Sequence, residues 1–554
     1  MFHECRNLPE IILSALAETG RTELAIPVLK QRSYTGNEPV ISSALANTPC
    51  ADLGINGVLE GLNATLGTFY SPGYTVLHPW RKMTLHSILE PYVARNNDFG
   101  TVYAHLRRLW YDYGVAKIED VLRIREENDR EMRREVLVHG RITRPDVPPR
   151  RVWDLYANRV VPYWVAKTVP LGISHAWVDE NDRVDVMTPI NGYEWPVPMP
   201  KDTNLDLIRI EMLNIGAQYA WLDVLCLRQE GGKGEYLRLE EWKLDVPTIG
   251  WVYECSPHAV CYFNGLGRPL HLTPDYFESD RCWFRCAWTL QEITNYTIIG
   301  GETDDDILEE EVEKVFHERL AHLRGMRKRH FVLELASEMQ NRVSSTPLDK
   351  VAGLSYLIHP GCIPIYDAKK SDTDAWEQLM DAMSPLPRGK VFFHFPEPGN
   401  GKKYWRPSWQ QVMTNKHFTH SSFGKPGWVN HSDTDGDWYK GYCIHSADVW
   451  GLDEGLTEGQ PRQGEICFKN TAGLSCTVKI SADHVYAIPD GSYALIGASN
   501  WKDWNSTYPL RHWVVGRLSD DGTFAKLSVF CSVEDDQRTA SELGLEGKVE
   551  IILC

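Results

Sequence analysis

Apolar residues recur along this chain in two different periods, and the change from one to the other divides it into regions. From Met83 to Tyr113 they fall near helical spacing, with Leu85, Ile88, Leu89, Tyr92 and Val93 on one stripe. Val115 to Val138 is dense in Arg and Glu, and Ile118, Val121, Leu122, Ile124, Met132 and Val136 give it one narrow apolar stripe. That pattern predicts an exposed amphipathic helix with i,i+4 charge pairs, packed on its own domain or docking a partner helix. Pro9 to Ala17 reads as a further helix. Residues 1–140 are thus a mainly helical N-terminal region, and Pro145, Pro148 and Pro149 mark 141–150 as a linker.

Beyond the linker, strand and helix signals alternate. Leu171 to Ile173 is a short apolar strand that runs into Ser174-His175-Ala176-Trp177, followed by a polar, proline-bearing loop from Thr188 to Pro200. Leu205, Ile208, Met212 and Ile215 then mark one face of a helix that Thr203 or Asn204 can cap. Tyr219 to Leu225 reads as a buried strand, Leu237 to Tyr253 as a helix interrupted at Pro247, and His258 to Phe263 as another apolar strand. This order predicts a parallel sheet with crossover helices. In such sheets ligands bind at the carboxyl ends of the strands, where Ser174, His175 and the stretch from Asp223 to Gln229 fall.

Residues 302–389 read as a helical extension, with one helical stretch to about Asn341 and another helix or turn starting at Leu348. Over 390–554 the pattern becomes short β-prone runs between turn signals. Pro489-Asp490-Gly491-Ser492 is a turn flanked by strands at His484 to Ile488 and Tyr493 to Ile496. With Trp405, Trp409, Trp428, Trp438, Trp450, Trp501, Trp504 and Trp513, this part is expected to be a Trp-rich antiparallel β module.

Composition narrows the picture. At 554 residues, with 43% hydrophobic and 11% aromatic content, the chain has material for several cores. A formal charge of −17 argues against generic nucleic-acid or anionic-membrane binding. No run approaches the ~18 apolar residues of a membrane span, and Met1 to Glu10 has no basic segment leading into an apolar one. Thirteen scattered cysteines read as free thiols, so a cytoplasmic location is expected. Cys255-x-x-His258-x-x-Cys261 lacks a second ligand pair and lies on a strand, so core residues rather than a metal site are expected.

Three blocks in residues 151–301 together resemble the fungal heterokaryon-incompatibility (HET) domain family. They are Ile173-Ser174-His175-Ala176-Trp177, Ala220-Trp221-Leu222-Asp223-Val224-Leu225-Cys226-Leu227-Arg228-Gln229, and Ala287-Trp288-Thr289-Leu290-Gln291-Glu292. Glu241-Trp242 and Ile249-Gly250-Trp251-Val252-Tyr253 continue the second block, and Asp349 to Leu354 is similar to a segment that often follows such domains. The resemblance covers about 150 of 554 residues. It implies an α/β fold with a central flavodoxin- or TIR-like parallel sheet, and a role as a cell-death effector in self/nonself recognition. It also implies NAD as a candidate substrate, with a carboxylate near the strand ends facing the positive ribosyl centre as nicotinamide leaves.

Departures from the family pattern matter for the site. The acid three residues after Trp242 is Asp245 where the family has Glu, one methylene shorter, and a ~1 Å misplacement can cost about 10²-fold in rate. His175 stands at a family Tyr, Val178 at a Gly, and Cys286 at an Arg with Arg285 beside it. The catalytic candidates are therefore Asp245, Asp223 and Glu292; Ser174, His175, Trp177, Cys226, Gln229, Trp288 and Gln291 are candidates for contacting substrate. Each also has a structural reading: Asp245 as a solvated or capping acid, the tryptophans as core, Gln291 and Glu292 as helix caps. His175 and Cys226 at adjacent strand ends make a Cys–His hydrolase conceivable, although Cys226 in Leu-Cys-Leu also reads as a small buried hydrophobe. The alternatives to an enzyme are a non-enzymatic scaffold, working through homo-oligomers and protein partners in incompatibility signalling, or a degenerate family member.

Overall fold

The computed structural model describes residues 8–73, 75–78, 81–110, 118–304, 310–329, 331–358, 361–415, 427–434, 436–453, 460–498, 508–545 and 547–554. The mixed α/β chain divides into two compact units, Met1–Gly325 with Ile365–Ala368, and Met326–Pro364 with Lys369–Cys554.

Among the described residues, the main sheet of the first unit contains β1 (Arg151–Asp154), β2 (Arg159–Pro162), β3 (Leu171–His175), β4 (Tyr219–Leu222), β5 (His258–Tyr262) and β6 (Tyr296–Ile299), in the order β6-β5-β3-β4-β1-β2. Strands β3 to β6 are parallel. The β1–β2 hairpin extends the sheet through an antiparallel β1–β4 pairing. The alternation of elements indicated β3, β4 and β5; β6 and the hairpin add to both edges. β3 is the central strand, and Tyr253 explains Gly172 on it. A Cβ at Gly172 would lie 2.7 Å from the Tyr253 ring, whose hydroxyl donates to the Ile173 carbonyl at 3.0 Å.

The expected strand at Tyr219 to Leu225 stops at Leu222, and Asp223–Cys226 forms a helical turn, α3. Pairing with β3 ends at Leu222, opposite Ile173, and the Asp223 side chain then accepts the Val224 N–H at 2.7 Å. The helix expected from Leu237 breaks around Pro247 into α4 (Arg238–Asp245) and α5 (Gly250–Cys255). The loop at Thr188 to Pro200 contains a strand, Val197–Pro200, that pairs with Arg183–Val186. Its prolines are tolerated because a two-stranded ribbon leaves the outer N–H positions unused.

In the N-terminal region, Met83 to Tyr113 gives helices Leu85–Ala94 and Phe99–Leu106, while 111–113 lie outside the described residues. The charged stretch forms α1 (Ile118–Glu135), with Arg123–Glu127 and Arg130–Glu126 pairs on its exposed side. Pro9 to Ala17 is not one helix: Ile11–Ser14 is a strand paired with Ser33–Gly36, and Ser14 caps the short helix Ala15–Thr19.

The helix expected on one apolar face, α2 (Leu205–Asn214), is capped by Asn204 and buried on nearly all sides. Its polar positions are covered partly by the N-terminal region and partly by the sheet domain. Arg209 donates to the carbonyls of Leu155 and Ile41 at 2.7 and 2.6 Å. Glu211 accepts from Gln31 at 2.8 Å and from Tyr262 at 2.7 Å. The 141–150 stretch is likewise no free linker, because the Pro148 and Pro149 carbonyls accept from Arg133 and Arg150 pairs with Asp245. The described residues of the N-terminal region and the parallel sheet share one interior.

In the second unit, Val332–Gln340 is a helix, and the stretch at Leu348 is a helix, Pro347–Ser355, rather than a turn. Among the described residues, β7 (Gly436–Trp450), β8 (Arg462–Lys469), β9 (Ser475–Ala482), β10 (Gly491–Gly497), β11 (His512–Leu518) and β12 (Thr523–Ser532) close into an antiparallel ring, β7-β8-β9-β12-β11-β10, with β10 returning to β7. Side chains including Val449, Ile466, Phe468, Val478, Ile480, Leu495, Trp513 and Phe530 fill it. The turn at Pro489 to Ser492 does lead into a strand, but His484 to Ile488 is irregular. Arg462 takes the His484 and Tyr486 carbonyls, each at 2.7 Å, so these groups are satisfied without a ladder. Trp405, Trp409 and Trp513 are buried, Trp428 and Trp450 exposed, and Trp501 and Trp504 lie outside the described residues. Among the described residues no helix is long and apolar enough to cross a membrane.

Candidate functional site

The parallel pairing of β3 with β4 and β5 brings their carboxyl ends together, and two hydrogen-bonded pairs of side chains meet there. The first couples β3 to the segment preceding β6. Ser174 Oγ donates to Glu292 Oε2 at 2.5 Å and accepts from Trp283 Nε1 at 2.8 Å. An indole N–H can only donate, so Ser174 Oγ accepts from Trp283 and is free to donate its own proton to Glu292. The second pair couples β3 to the turn after β4. His175 Nε2 lies 2.9 Å from Asp223 Oδ1, and His175 Nδ1 lies 3.2 Å from the Ala176 carbonyl.

The two members of the second pair differ in access. The His175 side chain is 6% exposed, whereas Asp223 keeps 24%. Asp223 Oδ1 accepts from His175 and from the Val224 N–H. Among the described residues Oδ2 has no hydrogen-bond partner. Burial pulls the His175 pKa down, but the charge and hydrogen bond of Asp223, the Ala176 carbonyl and the charge of Glu292 outweigh it. The net direction is upward. The Trp177 ring packs 5.4 Å from the imidazole, with the Arg183 guanidinium 5.8 Å from the Trp177 ring centre.

The other residues singled out in the sequence sit differently. Asp245 is spent in an ion network. Arg150 holds it through two bonds of 2.7 and 3.2 Å, Arg133 stands at 3.6 Å, and its side chain is 2% exposed. It ties α4 to α1 and to the start of β1. Gln229 uses its amide on the backbone, donating to Leu227 O at 2.9 Å and Asp223 O at 3.4 Å, and so braces the loop after α3. Cys226 is buried and burial pushes its thiol up to about 12, while both nitrogens of His175 are engaged elsewhere; the pair has no thiolate and no available base. Trp288 is half-buried with its ring 6.4 Å from Tyr366, and Gln291 is fully buried.

Trp283 and Tyr253 are the contributors that the sequence reading missed as site residues. Trp283 sits five residues before Trp288 in an apolar Cys-Trp-Phe run that looks like core, and its indole N–H is what distinguishes it. Tyr253 was visible only as the end of a motif, and its hydroxyl holds the carboxyl end of β3 through the Ile173 carbonyl.

Comparison of the chain with protein-family models, with curated proteins and with solved structures gives no match.

Proposed function

We propose that the first unit is a cell-death effector of the heterokaryon-incompatibility type and that it acts by cleaving the N-glycosidic bond of NAD. The observation that carries the chemistry is the convergence of Ser174–Glu292 and His175–Asp223 at the carboxyl ends of neighbouring parallel strands. Numbered among themselves, the parallel strands β3 to β6 stand in the order 2-1-3-4, the flavodoxin-like arrangement, whose ligand crevice opens between the first and third strands. Ser174, opposite Cys261 in the register, sits at that crevice, and this supports the TIR-like reading of the sheet.

On this reading Asp223 is the reacting carboxylate. As the bond from ribose C1′ to the nicotinamide nitrogen breaks, its electron pair goes to the nitrogen, and positive charge develops on the ribosyl carbon. A preoriented carboxylate stabilises that charge more than the ground state. Water then bonds to C1′ and releases one proton, giving ADP-ribose and neutral nicotinamide. Glu292, fixed by Ser174, orients the ribose or the incoming water, and Trp177 offers a half-buried face for the departing ring.

The test is nicotinamide release from NAD by the concentrated full-length protein, followed by chromatography. The expected outcome is turnover by the wild type and a loss of about 10²-fold or more in Asp223→Asn. Intact NAD alongside continued growth arrest on expression would leave assembly, not chemistry, as the mode of action.

A further inference from the structure

Resting on the assignment of Asp223 as the reacting carboxylate, we propose that His175 is its positioning residue, held as a doubly protonated imidazolium, and that loss of this proton sets the alkaline limit of the site.

Donor and acceptor bookkeeping carries the inference. His175 Nδ1 faces the Ala176 carbonyl at 3.2 Å, and a carbonyl oxygen can only accept. His175 Nε2 faces Asp223 Oδ1 at 2.9 Å, an oxygen that already accepts the Val224 N–H at 2.7 Å. A neutral imidazole has one N–H and would turn a lone pair toward one of these oxygens. Only the cation satisfies both.

The surroundings favour the same form. The charged groups around the ring are Asp223, from the turn after β4, and Glu292, from the segment before β6; both are acids. Tyr253, on α5, has its pKa held well above the ordinary value by burial and by the charges of Glu292 and Asp223, so it is neutral. Arg183 reaches the neighbourhood through the Trp177 face.

The cation positions Asp223 by occupying Oδ1, which leaves Oδ2 as the oxygen that meets substrate. With the ring neutral, one of the two tethers is lost. Either Asp223 is released to rotate, or the ring swings from Ala176 and carries the carboxylate with it. His175 touches no substrate in this scheme; its effect is transmitted through Asp223.

Full-length protein labelled with ¹⁵N-histidine provides the test. His175 is assigned as the resonance missing from His175→Gln. Near neutral pH both of its ring nitrogens should show imidazolium shifts, with a titration midpoint above 6.5 that falls in Asp223→Asn. Turnover of NAD should decline on the alkaline side with the same midpoint. In His175→Gln, kcat should drop about 10²-fold with KM little changed, and the alkaline limb should disappear. A single-tautomer neutral ring near pH 7 overturns the inference, whatever the activity. A doubly protonated ring whose midpoint falls in Asp223→Asn, in a protein that leaves NAD intact, upholds the assignment of His175 and overturns the reading of the chemistry. If His175→Gln fails to fold, the wild-type and Asp223→Asn titrations decide the matter alone.

Discussion

Asp223 and Asp245 are the same side chain in two environments, and their partners decide what each can do. Asp245 is enclosed by Arg150 and Arg133 and lies inside the fold. Removing it takes the carboxylate partner from Arg150, while Arg133 keeps Asp129 and the Pro148 and Pro149 carbonyls, so Asp245→Ala should cost about 2–3 kcal/mol, read as a lower denaturant midpoint at unchanged m-value. A loss below about 0.5 kcal/mol would mark the network as dispensable and return Asp245 to the pool of functional acids. The His175–Asp223 pair makes a different prediction. The His175 pKa is raised on folding above 6.5, so its stabilising contribution is fully present below that pH and lost as pH rises through the folded value. Denaturant midpoints between pH 6 and pH 9 should fall with rising pH in the wild type, and that slope should be missing in Asp223→Asn.

Elements with a strong internal period were legible in the sequence, and those defined by partners were not. β3, β5, α2 with its Asn204 cap and the break at Pro247 follow from spacing and local chemistry. Strand β12 shows the dependence on partners as well: Phe524, Lys526, Ser528 and Phe530 are all buried in alternation, but Lys526 and Ser528 are polar and take the carbonyls of Phe392, Phe395 and Pro396. His484 to Ile488 has the composition of a strand and becomes irregular because Arg462, 22 residues from His484, supplies its hydrogen bonds. The site divides in the same way. Ser174, His175, Asp223 and Glu292 came from motifs, whereas the pairing that joins His175 to Asp223 and Ser174 to Glu292 is set by strand register. The ring also has a packed apolar core of its own. Trp513 is fully buried on β11 and donates to Ser532 at 2.9 Å, so Trp513→Ala should cost about 3–5 kcal/mol, measurable as a lower unfolding midpoint.

At the scale of the molecule, motif boundaries and folding boundaries do not coincide. The motif-bearing stretch is 151–301, yet its charged interior is completed from outside. Asp154, with no exposed surface, is held by Arg107 through bonds of 2.9 and 2.8 Å, and the guanidinium is sandwiched 4.9 Å from the Tyr156 and Tyr219 rings. Arg159 depends on Asp98 and the Ala46 carbonyl, and Arg209 on the Ile41 carbonyl. Cutting the chain at residue 151 would leave Asp154, Arg159 and Arg209 without these partners in the interior. Each buried charge left without its partner costs about 3–5 kcal/mol, and a domain's whole stability is about 5–15 kcal/mol, so two such losses suffice to unfold it. A fragment of 151–301 should therefore lack a cooperative thermal transition and show collapsed amide dispersion by NMR, whereas one spanning 8–325 and extended through 368 should melt cooperatively. A cooperative transition in the short fragment would show that the N-terminal region is an accessory rather than part of the core. The same logic bears on function. If the N-terminal region were an inhibitory appendage, its removal would release activity, but a region that satisfies charges beneath β1 and α2 cannot be removed without removing the sheet that holds His175 and Asp223.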